Sequence, residues 1–345
     1  MNRRQFLGLG SASVALLAAP ALGRAQSGGM VNLYSARHYQ TDEALYGEFT
    51  QQTGIRVNRI DADADPLLER LKAEGRNSPC DVFISVDAGR IERAREQGLL
   101  QPINSESLTQ RVPAHLRSPD GMWFGFSKRA RVLVYSRDRV RPSDLSTYED
   151  LADSKWRGKI VVRSSNNVYN QSLVGSLLAA LGAERTEAVC RGLVANFARP
   201  PAGGDRDQIA AVAAGQADVA ISNTYYLFNM ARPNAPARDR EIVGKVAVFF
   251  PNQRDRGTHV NISGGGVAAN APNKANAIRF LEYLVSPAAQ RYFAEGNSEY
   301  PVVEGVTPPP WVSEYGAFNE DRLNAQVFAR NNAEALRIMD RAGWR

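Results

Sequence analysis

The sequence predicts an α/β protein built from two lobes. Short apolar runs with strand-like spacing alternate with segments whose apolar residues recur at helical spacing, a pattern typical of βαβ units. The chain has 345 residues, which is more than one small core holds. It contains no repeat, low-complexity tract or long flexible linker, so we expect extended segments to connect the lobes.

The first half of the chain supplies three strands, each followed by a helix. The predicted helices begin at residues that cap or open a helix and end at glycines, which adopt the left-handed conformation common after helices. The strands are 31–34, 55–60 and 82–86, and the helices run from Thr41 or Asp42 to Gly54, from Asp65-Pro66 to Gly75, and from Asp87 to Gly98.

The second half continues this alternation. Predicted strands cover 131–136, 159–163 and 217–222, and residues 245–250 and 259–262 are expected to be extended. Predicted helices cover 148–153, 170–182, 185–197 and 205–215, a segment from Thr224, then 273–285, 287–295 and the tail 319–343. Segments 124–135 and 245–262 are the candidate crossings between lobes, and the cleft between such lobes is the expected ligand site, closed by a hinge motion.

Residues 1–25 have the features of an export signal. Arg3-Arg4 precede an apolar stretch that ends near Leu22, and small residues lead to a cleavage site at Ala25. The paired arginines resemble a twin-arginine signal, and an uncleaved anchor is the alternative. Removal of the signal lowers the formal net charge from +6 to +3, a weak and dispersed excess that gives little support to nucleic-acid binding.

The small numbers of cysteines and histidines limit the disulfide bonds and metal sites that the chain can form. A bridge between Cys80 and Cys190 is one alternative, and buried free thiols are the favoured one. The three histidines, His38, His115 and His259, cannot build a His-rich metal site.

Common catalytic and phosphate-binding motifs are missing from the sequence. It contains no G-x-x-x-x-G-K-[ST], H-E-x-x-H, G-x-S-x-G or paired C-x-x-C pattern. The run 264–266 (GGG) could present backbone amides to an anion, but a turn that allows close strand packing is favoured.

Tyrosine occurs at three strand-to-helix junctions. Tyr39, beside His38, follows the first strand, Tyr169 lies between a predicted strand and a predicted helix, and Tyr225-Tyr226 follow another strand. The carboxyl ends of strands are where open α/β sheets bind ligands. We therefore expect these tyrosines at the cleft, although each one alone also fits an amphipathic surface position.

Grouped phenols favour a hard trivalent cation. Fe(III) prefers anionic oxygen donors, and a phenol with an ordinary pKa of ~10 loses its proton when it binds such an ion. The thiol and thioether ligands that select copper or zinc are missing from these motifs. An imidazole from His38 could complete the shell. Binding would release protons, so the affinity should fall as the pH drops.

The sequence resembles the ferric-iron-binding proteins of bacterial ABC uptake systems, in particular the branch typified by cyanobacterial iron-binding proteins. The resemblance covers nearly all of the mature chain and is carried by 31–39 (VNLYSARHY), 80–84 (CDVFI), 127–132 (SKRARV), 167–173 (NVYNQSL) and 222–226 (SNTYY). It implies the type II periplasmic binding protein fold, two α/β lobes joined by two crossing strands. The N-terminal lobe is then expected to comprise 26–130 and 250–305, and the C-terminal lobe 131–249 and 306–345.

The resemblance also implies the metal ligands. Tyr39, Tyr169, Tyr225 and Tyr226 occupy the positions of the family's four tyrosinates. His38 matches a histidine that ligates the ion in some members and stays outside the shell in others.

Arg129 falls where the family places an arginine behind the ligands. A positive charge suits this position, because four tyrosinates and one Fe(III) sum to −1. The alternative is a solvated charge in an arginine-rich stretch. The chain reads LFNM at 227–230, where an arginine occurs in some relatives, which leaves the other outer contacts and any synergistic carbonate open.

The implied function is that of a monomeric periplasmic receptor that binds Fe(III), delivers it to an inner-membrane ABC permease and catalyses no reaction. One alternative keeps the fold and binds another solute, such as an anion, a thiamine-like compound or a polyamine. Acidic residues suited to a polyamine are scarce beside the tyrosines. The other alternative is an enzyme on this scaffold, and the export signal and missing catalytic motifs argue against it.

Overall fold

The computed structural model of the chain describes residues 29–37 and 39–345. The predicted signal sequence and His38 lie outside the described residues. No helix in the described ranges is long and apolar enough to cross a lipid bilayer.

A mixed sheet of nine strands runs through the described part of the chain. The strands are β1 (Met30–Ala36), β2 (Arg56–Asp61), β3 (Val82–Ser85), β4 (Phe124–Ser136), β5 (Ile160–Val161), β6 (Val219–Asn223), β7 (Val246–Phe249), β8 (Val260–Val267) and β9 (Tyr300–Pro301). They lie in the order β2-β1-β3-β8-β4-β6-β5, with β7 and β9 also paired to β4. Strand β1 is parallel to β2 and β3, β5 is parallel to β6, and β4 is antiparallel to β8.

Helices pack around this sheet. They are α1 (Asp42–Thr53), α2 (Ala64–Glu74), α3 (Ala88–Glu96), α4 (Glu106–Arg111), α5 (Val168–Leu181), α6 (Ala183–Ala195), α7 (Asp205–Ala213), α8 (Thr224–Met230), α9 (Ala237–Lys245), α10 (Lys274–Leu284), α11 (Pro287–Asn297), α12 (Pro310–Ser313), α13 (Ala325–Arg330) and α14 (Asn332–Ala342). Local signals explain the predicted boundaries well: α1 ends at Gly54, which has a left-handed φ of 71°, and the Asp87 side chain caps α3.

Strand β4 passes from one lobe to the other. Up to Ala130 it pairs with β8, and from Arg131 onward it pairs with β6 and β7. The chain returns between β7 and β8. We call the β1–β3–β8 side the first lobe and the β5–β6–β7 side the second lobe. The residue bounds expected for the lobes from the sequence remain a prediction.

Each lobe has a hydrophobic core. The first includes Phe49, Phe83 and Phe280, and the second includes Trp156 and Trp344, all of them buried. Burial of such large side chains is the main favourable contribution to folding, about 1.5–3 kcal/mol each. Cys80 lies in the first core and Cys190 in the second as buried free thiols, which confirms the favoured interpretation.

The prediction of a turn at residues 264–266 is wrong, because these glycines lie within β8, between β3 and β4. The expected close packing is present. A Cβ atom at Gly264 would overlap the carbonyl oxygen of Phe124, and one at Gly265 would overlap that of Phe83. Glycine therefore allows neighbouring backbones to approach in the middle of the sheet.

The continuous tail helix predicted for 319–343 is also wrong. Helix formation begins at Ala325, where the Asn324 side chain accepts a hydrogen bond from the Gln326 N–H. The preceding backbone instead pairs with the return crossing: the Asp321 N–H donates to the Thr258 carbonyl over 2.9 Å. This long-range pairing explains the error, because no local pattern encodes it. Helices α4, α9 and α12 were missed in the sequence, and the segment predicted as helix 148–153 forms a short 3-10 turn, Glu149–Ala152.

Candidate metal centre

Tyr39 lies in the turn that joins β1 to α1. Its carbonyl accepts a hydrogen bond from the Asp42 N–H over 3.1 Å, which holds the turn against the start of α1. The guanidinium of Arg37 lies 4.7 Å from the centre of the Tyr39 ring. Arg37 is itself held by ion pairs with Asp42 at 2.8 Å and Glu299 at 3.2 Å, so this stacking partner has a fixed position.

Tyr169 is the second residue of α5. The preceding Asn167 caps the helix, and its side chain accepts a hydrogen bond from the Tyr169 N–H over 3.1 Å. This cap makes the chain leave the end of β5 and enter the helix at Val168, which places the phenol in the first turn.

Tyr225 and Tyr226 lie in the first turn of α8, directly after β6. Neighbouring residues in a helix normally point ~100° apart. Here the two rings lie side by side, with centroids 4.3 Å apart and planes inclined by 31°. Both phenols of the pair can therefore serve one site at the end of the helix.

The four tyrosines from the two lobes form one cluster. The Tyr225 hydroxyl donates a hydrogen bond to the Tyr169 hydroxyl over 3.1 Å, and the Tyr39 ring meets the Tyr225 ring edge-on with centroids 6.4 Å apart. Tyr225 is buried and the other three are half-buried. The structure thus brings together every tyrosine that the sequence analysis singled out.

Polar contacts between the lobes flank this cluster. On one side, Asp87 at the start of α3 accepts a hydrogen bond from Ser172 of α5 over 2.8 Å, and Asn261 of β8 donates to the same carboxylate from within the first lobe. On the other, Asn229 of α8 accepts a hydrogen bond from Ser298 over 3.0 Å. The described arrangement is therefore closed around the tyrosines.

Arg129 extends from β4 into the site. Its side chain is buried, so the alternative of a solvated charge is wrong. The guanidinium lies 5.6 Å from the centre of the Tyr169 ring and donates to the Val86 carbonyl and, over 3.4 Å, to the Ser263 hydroxyl. Within residues 29–37 and 39–345 it forms no ion pair with a carboxylate.

Three further arginines border the tyrosines and were missed in the sequence analysis: Arg37, Arg131 and Arg163. Arg163 donates to the Tyr226 hydroxyl over 3.4 Å, and the Arg131 guanidinium lies 6.0 Å from the centre of the Tyr169 ring. For Arg131, the spacing along β4 could have predicted this position. Residues two apart on a strand share a face, and Arg131 follows Arg129 at that interval. Unlike Arg129, all three have carboxylate partners.

Burial dominates the protonation of the phenols. It raises the pKa of Tyr169 to about 12 and the pKa values of Tyr39 and Tyr225 well above the ordinary value, and nearby negative groups act in the same direction. The positive charge of Arg129 lowers all three pKa values and offsets part of this effect. Without a bound cation, the three phenols keep their protons at neutral pH.

Phenol oxygens are the donors that this cluster offers to a metal. The ranges that the structure describes contain no group of three or more His, Cys, Asp or Glu side chains arranged to hold an ion. A cavity of about 1060 Å³ is lined by residues that include His115, Lys128, Tyr300, Phe318 and Glu320, and none of the four clustered tyrosines lines it.

Known proteins similar to this chain include solute-binding proteins and iron uptake proteins. A family model described as bacterial extracellular solute-binding protein matches residues 44–320. The chain is similar to iron uptake protein A1 of Synechocystis sp., at 52% identity over 91% of this chain and 87% of the relative. It is also similar to iron uptake protein A2 of the same organism, at 52% identity over 100% of this chain and 99% of the relative.

A solved structure shows the same fold. The Trichodesmium protein IdiA (FutA), in complex with iron and citrate ligands, matches with a TM-score of 0.89 and 57% identity, covering 92% of this chain and 100% of that one. This match confirms the predicted α/β class and the type II periplasmic binding protein fold.

Proposed function

The chain belongs to the family of bacterial extracellular solute-binding proteins, and we propose that its solute is a ferric ion held between the lobes by Tyr39, Tyr169, Tyr225 and Tyr226. The observation that carries the proposal is the convergence of these phenols from both lobes. The 3.1 Å separation of the Tyr225 and Tyr169 oxygens brings two donors within reach of one small ion. His38 precedes Tyr39 in the chain and is the candidate fifth ligand.

The chemistry of the donor set selects the ion. Deprotonated phenols are hard anionic donors and match a hard trivalent cation, whereas soft thiolate or thioether ligands would favour copper or zinc. The raised pKa values mean that a weakly polarising cation cannot displace the phenol protons easily, so the site favours an ion of high charge.

Charge balance supports the same assignment. Four tyrosinates and one Fe(III) carry −1 together. The guanidiniums that border them, Arg37, Arg129, Arg131 and Arg163, and the carboxylates paired with these arginines, Asp42, Asp205 and Glu299, sum to +1. Arg129, which has no carboxylate partner in the described chain, is the group that supplies the excess. A closed site with near-zero total charge avoids the cost of burying an isolated charge.

The proposed role is transport rather than catalysis. The similar proteins are named for iron uptake, which favours iron over an anion, a thiamine-like compound or a polyamine. As a periplasmic receptor, the protein would act as a monomer, bind the ion as its lobes close and pass it to an ABC permease in the inner membrane. The export signal at residues 1–25, with cleavage near Ala25, agrees with this location.

Ferric loading of the mature protein tests the proposal. The iron-loaded protein should show a visible phenolate-to-iron charge-transfer band and contain one iron per chain by metal analysis. The double variant Tyr225→Phe/Tyr226→Phe should lose most of this band, whereas Tyr292→Phe, in α11 and outside the tyrosine cluster, should keep it. A colourless wild-type protein after ferric loading would contradict the proposal.

A further inference from the structure

Beneath the tyrosines of the second lobe lies a buried ion pair between Arg131 and Asp205. The Arg131 Nη1 and Asp205 Oδ2 atoms are 2.5 Å apart, and the side chains are 2% and 0% exposed. Removing two charges from water costs several kcal/mol per ion before their attraction offsets it, so a buried pair contributes little net stability. The hydrogen bonds that the pair makes to Asn170 and Asn223 explain its position better than a contribution to stability does.

Arg131 connects the ion pair to α5 through a hydrogen bond. Arg131 Nη2 donates to the Asn170 side-chain oxygen over 2.7 Å, and Asn170 is the residue after Tyr169. The Asn170 amide in turn donates to the carbonyls of Arg163 and Ser164 over 2.9 and 3.0 Å. The first turn of α5 is thereby tied to the chain that leaves β5.

Both members of the pair also form hydrogen bonds to Asn223, at the start of α8. The Asp205 Oδ2 atom accepts a hydrogen bond from the Asn223 N–H over 2.8 Å, and Arg131 Nη1 donates to the Asn223 side-chain oxygen over 3.2 Å. Asn223 is the residue before α8, so its backbone sets the direction in which Tyr225 and Tyr226 leave the sheet.

Asp205 also lies near the arginine that contacts Tyr226. The Arg163 Nε atom is 3.8 Å from Asp205 Oδ1, and Arg163 donates to the Tyr226 hydroxyl. None of the hydrogen bonds or ion pairs of the carboxylate joins it to a tyrosine in the described residues. It nevertheless contacts Arg131, which lies beside the Tyr169 ring, and Arg163, which contacts the Tyr226 hydroxyl.

We infer that Asp205 is a positioning residue of the metal site, which acts through Arg131 to align the first turns of α5 and α8 so that Tyr169, Tyr225 and Tyr226 meet at one ion. The inference rests on the proposed ferric function. It assigns to a buried carboxylate, 74 residues from its arginine partner in the sequence, the preorganisation of three ligands that it does not touch.

The test compares Asp205→Asn with a matched surface variant, Asp218→Asn. Asp218 is in the same lobe and forms a partly exposed ion pair with Arg139 at 2.7 Å. It precedes β6, whereas Tyr225 and Tyr226 follow the other end of that strand. Ferric affinity is measured by competition with citrate, and the wavelength and intensity of the charge-transfer band are recorded for each variant. Circular dichroism establishes that each variant is folded.

Asp205→Asn should bind Fe(III) about 10–100-fold more weakly, the range found when groups behind metal ligands are changed, and its band should shift because the phenols are misaligned. Asp218→Asn should match the wild type in both. Asp205→Asn with wild-type affinity and an unshifted band would overturn the inference. A wild-type protein without any band would instead overturn the proposed function.

A second variant keeps the inference testable if Asp205→Asn does not fold. Arg131→Lys retains the positive charge beside Asp205, but an ammonium on a flexible stem cannot hold Asn170 and Asn223 together as the planar guanidinium does. It should lower ferric affinity and shift the band in the same direction. A folded Arg131→Lys protein with the affinity and spectrum of the wild type would contradict the positioning role.

Discussion

The hydroxyl of Tyr225 donates a hydrogen bond to the hydroxyl of Tyr169 over 3.1 Å. This bond joins the first turn of α8 to the first turn of α5, and the Tyr39 ring from the other lobe lies against the same Tyr225 ring. A cation bound by both oxygens as phenolates must displace the protons of both hydroxyls, including the one in this hydrogen bond. In the proposed function, the metal and these protons therefore compete for the same two oxygens.

Ferric binding should release protons and weaken in acid. Because burial raises the pKa values of Tyr39, Tyr169 and Tyr225, their phenols are protonated at pH 7 before the ion arrives. Each released proton makes the affinity fall about tenfold for every unit by which the pH is lowered. Proton release in weakly buffered solution and citrate competition between pH 6 and 8 measure the effect, after correction for the protonation of citrate and for iron hydrolysis.

The Tyr225→Phe/Tyr226→Phe variant provides the control for this count, since it lacks two of the phenols. It should release fewer protons per bound iron than the wild type, and Tyr292→Phe should release the same number. Binding without net proton release would be incompatible with tyrosinate ligands.

Arg129→Gln should weaken ferric binding and move its pH dependence to higher pH. The Arg129 charge lowers the pKa values of Tyr39, Tyr169 and Tyr225, so its removal lets these values rise and makes the phenolates harder to form. We expect an affinity loss of about 10–100-fold at pH 7. Arg129→Lys, which keeps a charge, should lose less, and equal losses in the two variants would show that the charge is not what matters.

Iron should stabilise the closed protein, and Tyr39→Phe should remove part of that effect. With the proposed ligands, the ion would bridge the two lobes, and a ligand at 100 times its dissociation constant adds about 2.7 kcal/mol of stability. The iron-dependent rise in Tm should be smaller in Tyr39→Phe, while the charge-transfer band persists because three phenols of the second lobe remain. His38→Ala measures the contribution of the adjacent imidazole in the same way. A Tyr39→Phe protein with an unchanged iron-dependent rise in Tm would place the first lobe outside the site.

Gly265→Ala should destabilise the sheet by about 1–3 kcal/mol, because the added Cβ overlaps the Phe83 carbonyl oxygen in the neighbouring strand. Gly47→Ala is the matched control. Gly47 lies within α1 with no atom near the position of a Cβ, so alanine there should raise stability by up to about 1 kcal/mol. Urea unfolding midpoints, followed by circular dichroism, compare the two. A Gly265→Ala midpoint equal to that of the wild type would contradict the close approach.

Local signals explain which parts of the fold were predictable. The ends of α1 and α3 followed from Gly54 and Asp87, because caps act within one turn of the helix. Long-range contacts explain the errors. The tail helix was predicted to start too early, because the residues just before it pair with Thr258 instead of forming a helix. The glycines of β8 were assigned to a turn, because the two neighbouring strands that require glycine there are distant in the sequence.

The sequence by itself determined the α/β class, the first three strand–helix units, the buried state expected for both cysteines and the placement of four tyrosines at the carboxyl ends of strands, since these depend on periodicity and nearby residues. Only the tertiary structure decided that Tyr39 meets Tyr225 across the cleft, and that Arg129 lacks a carboxylate partner in the described chain while Arg131 pairs with Asp205. The physical reason is that burial and ion pairing depend on which distant segments the chain packs together. Such contacts join residues with no fixed spacing along the sequence.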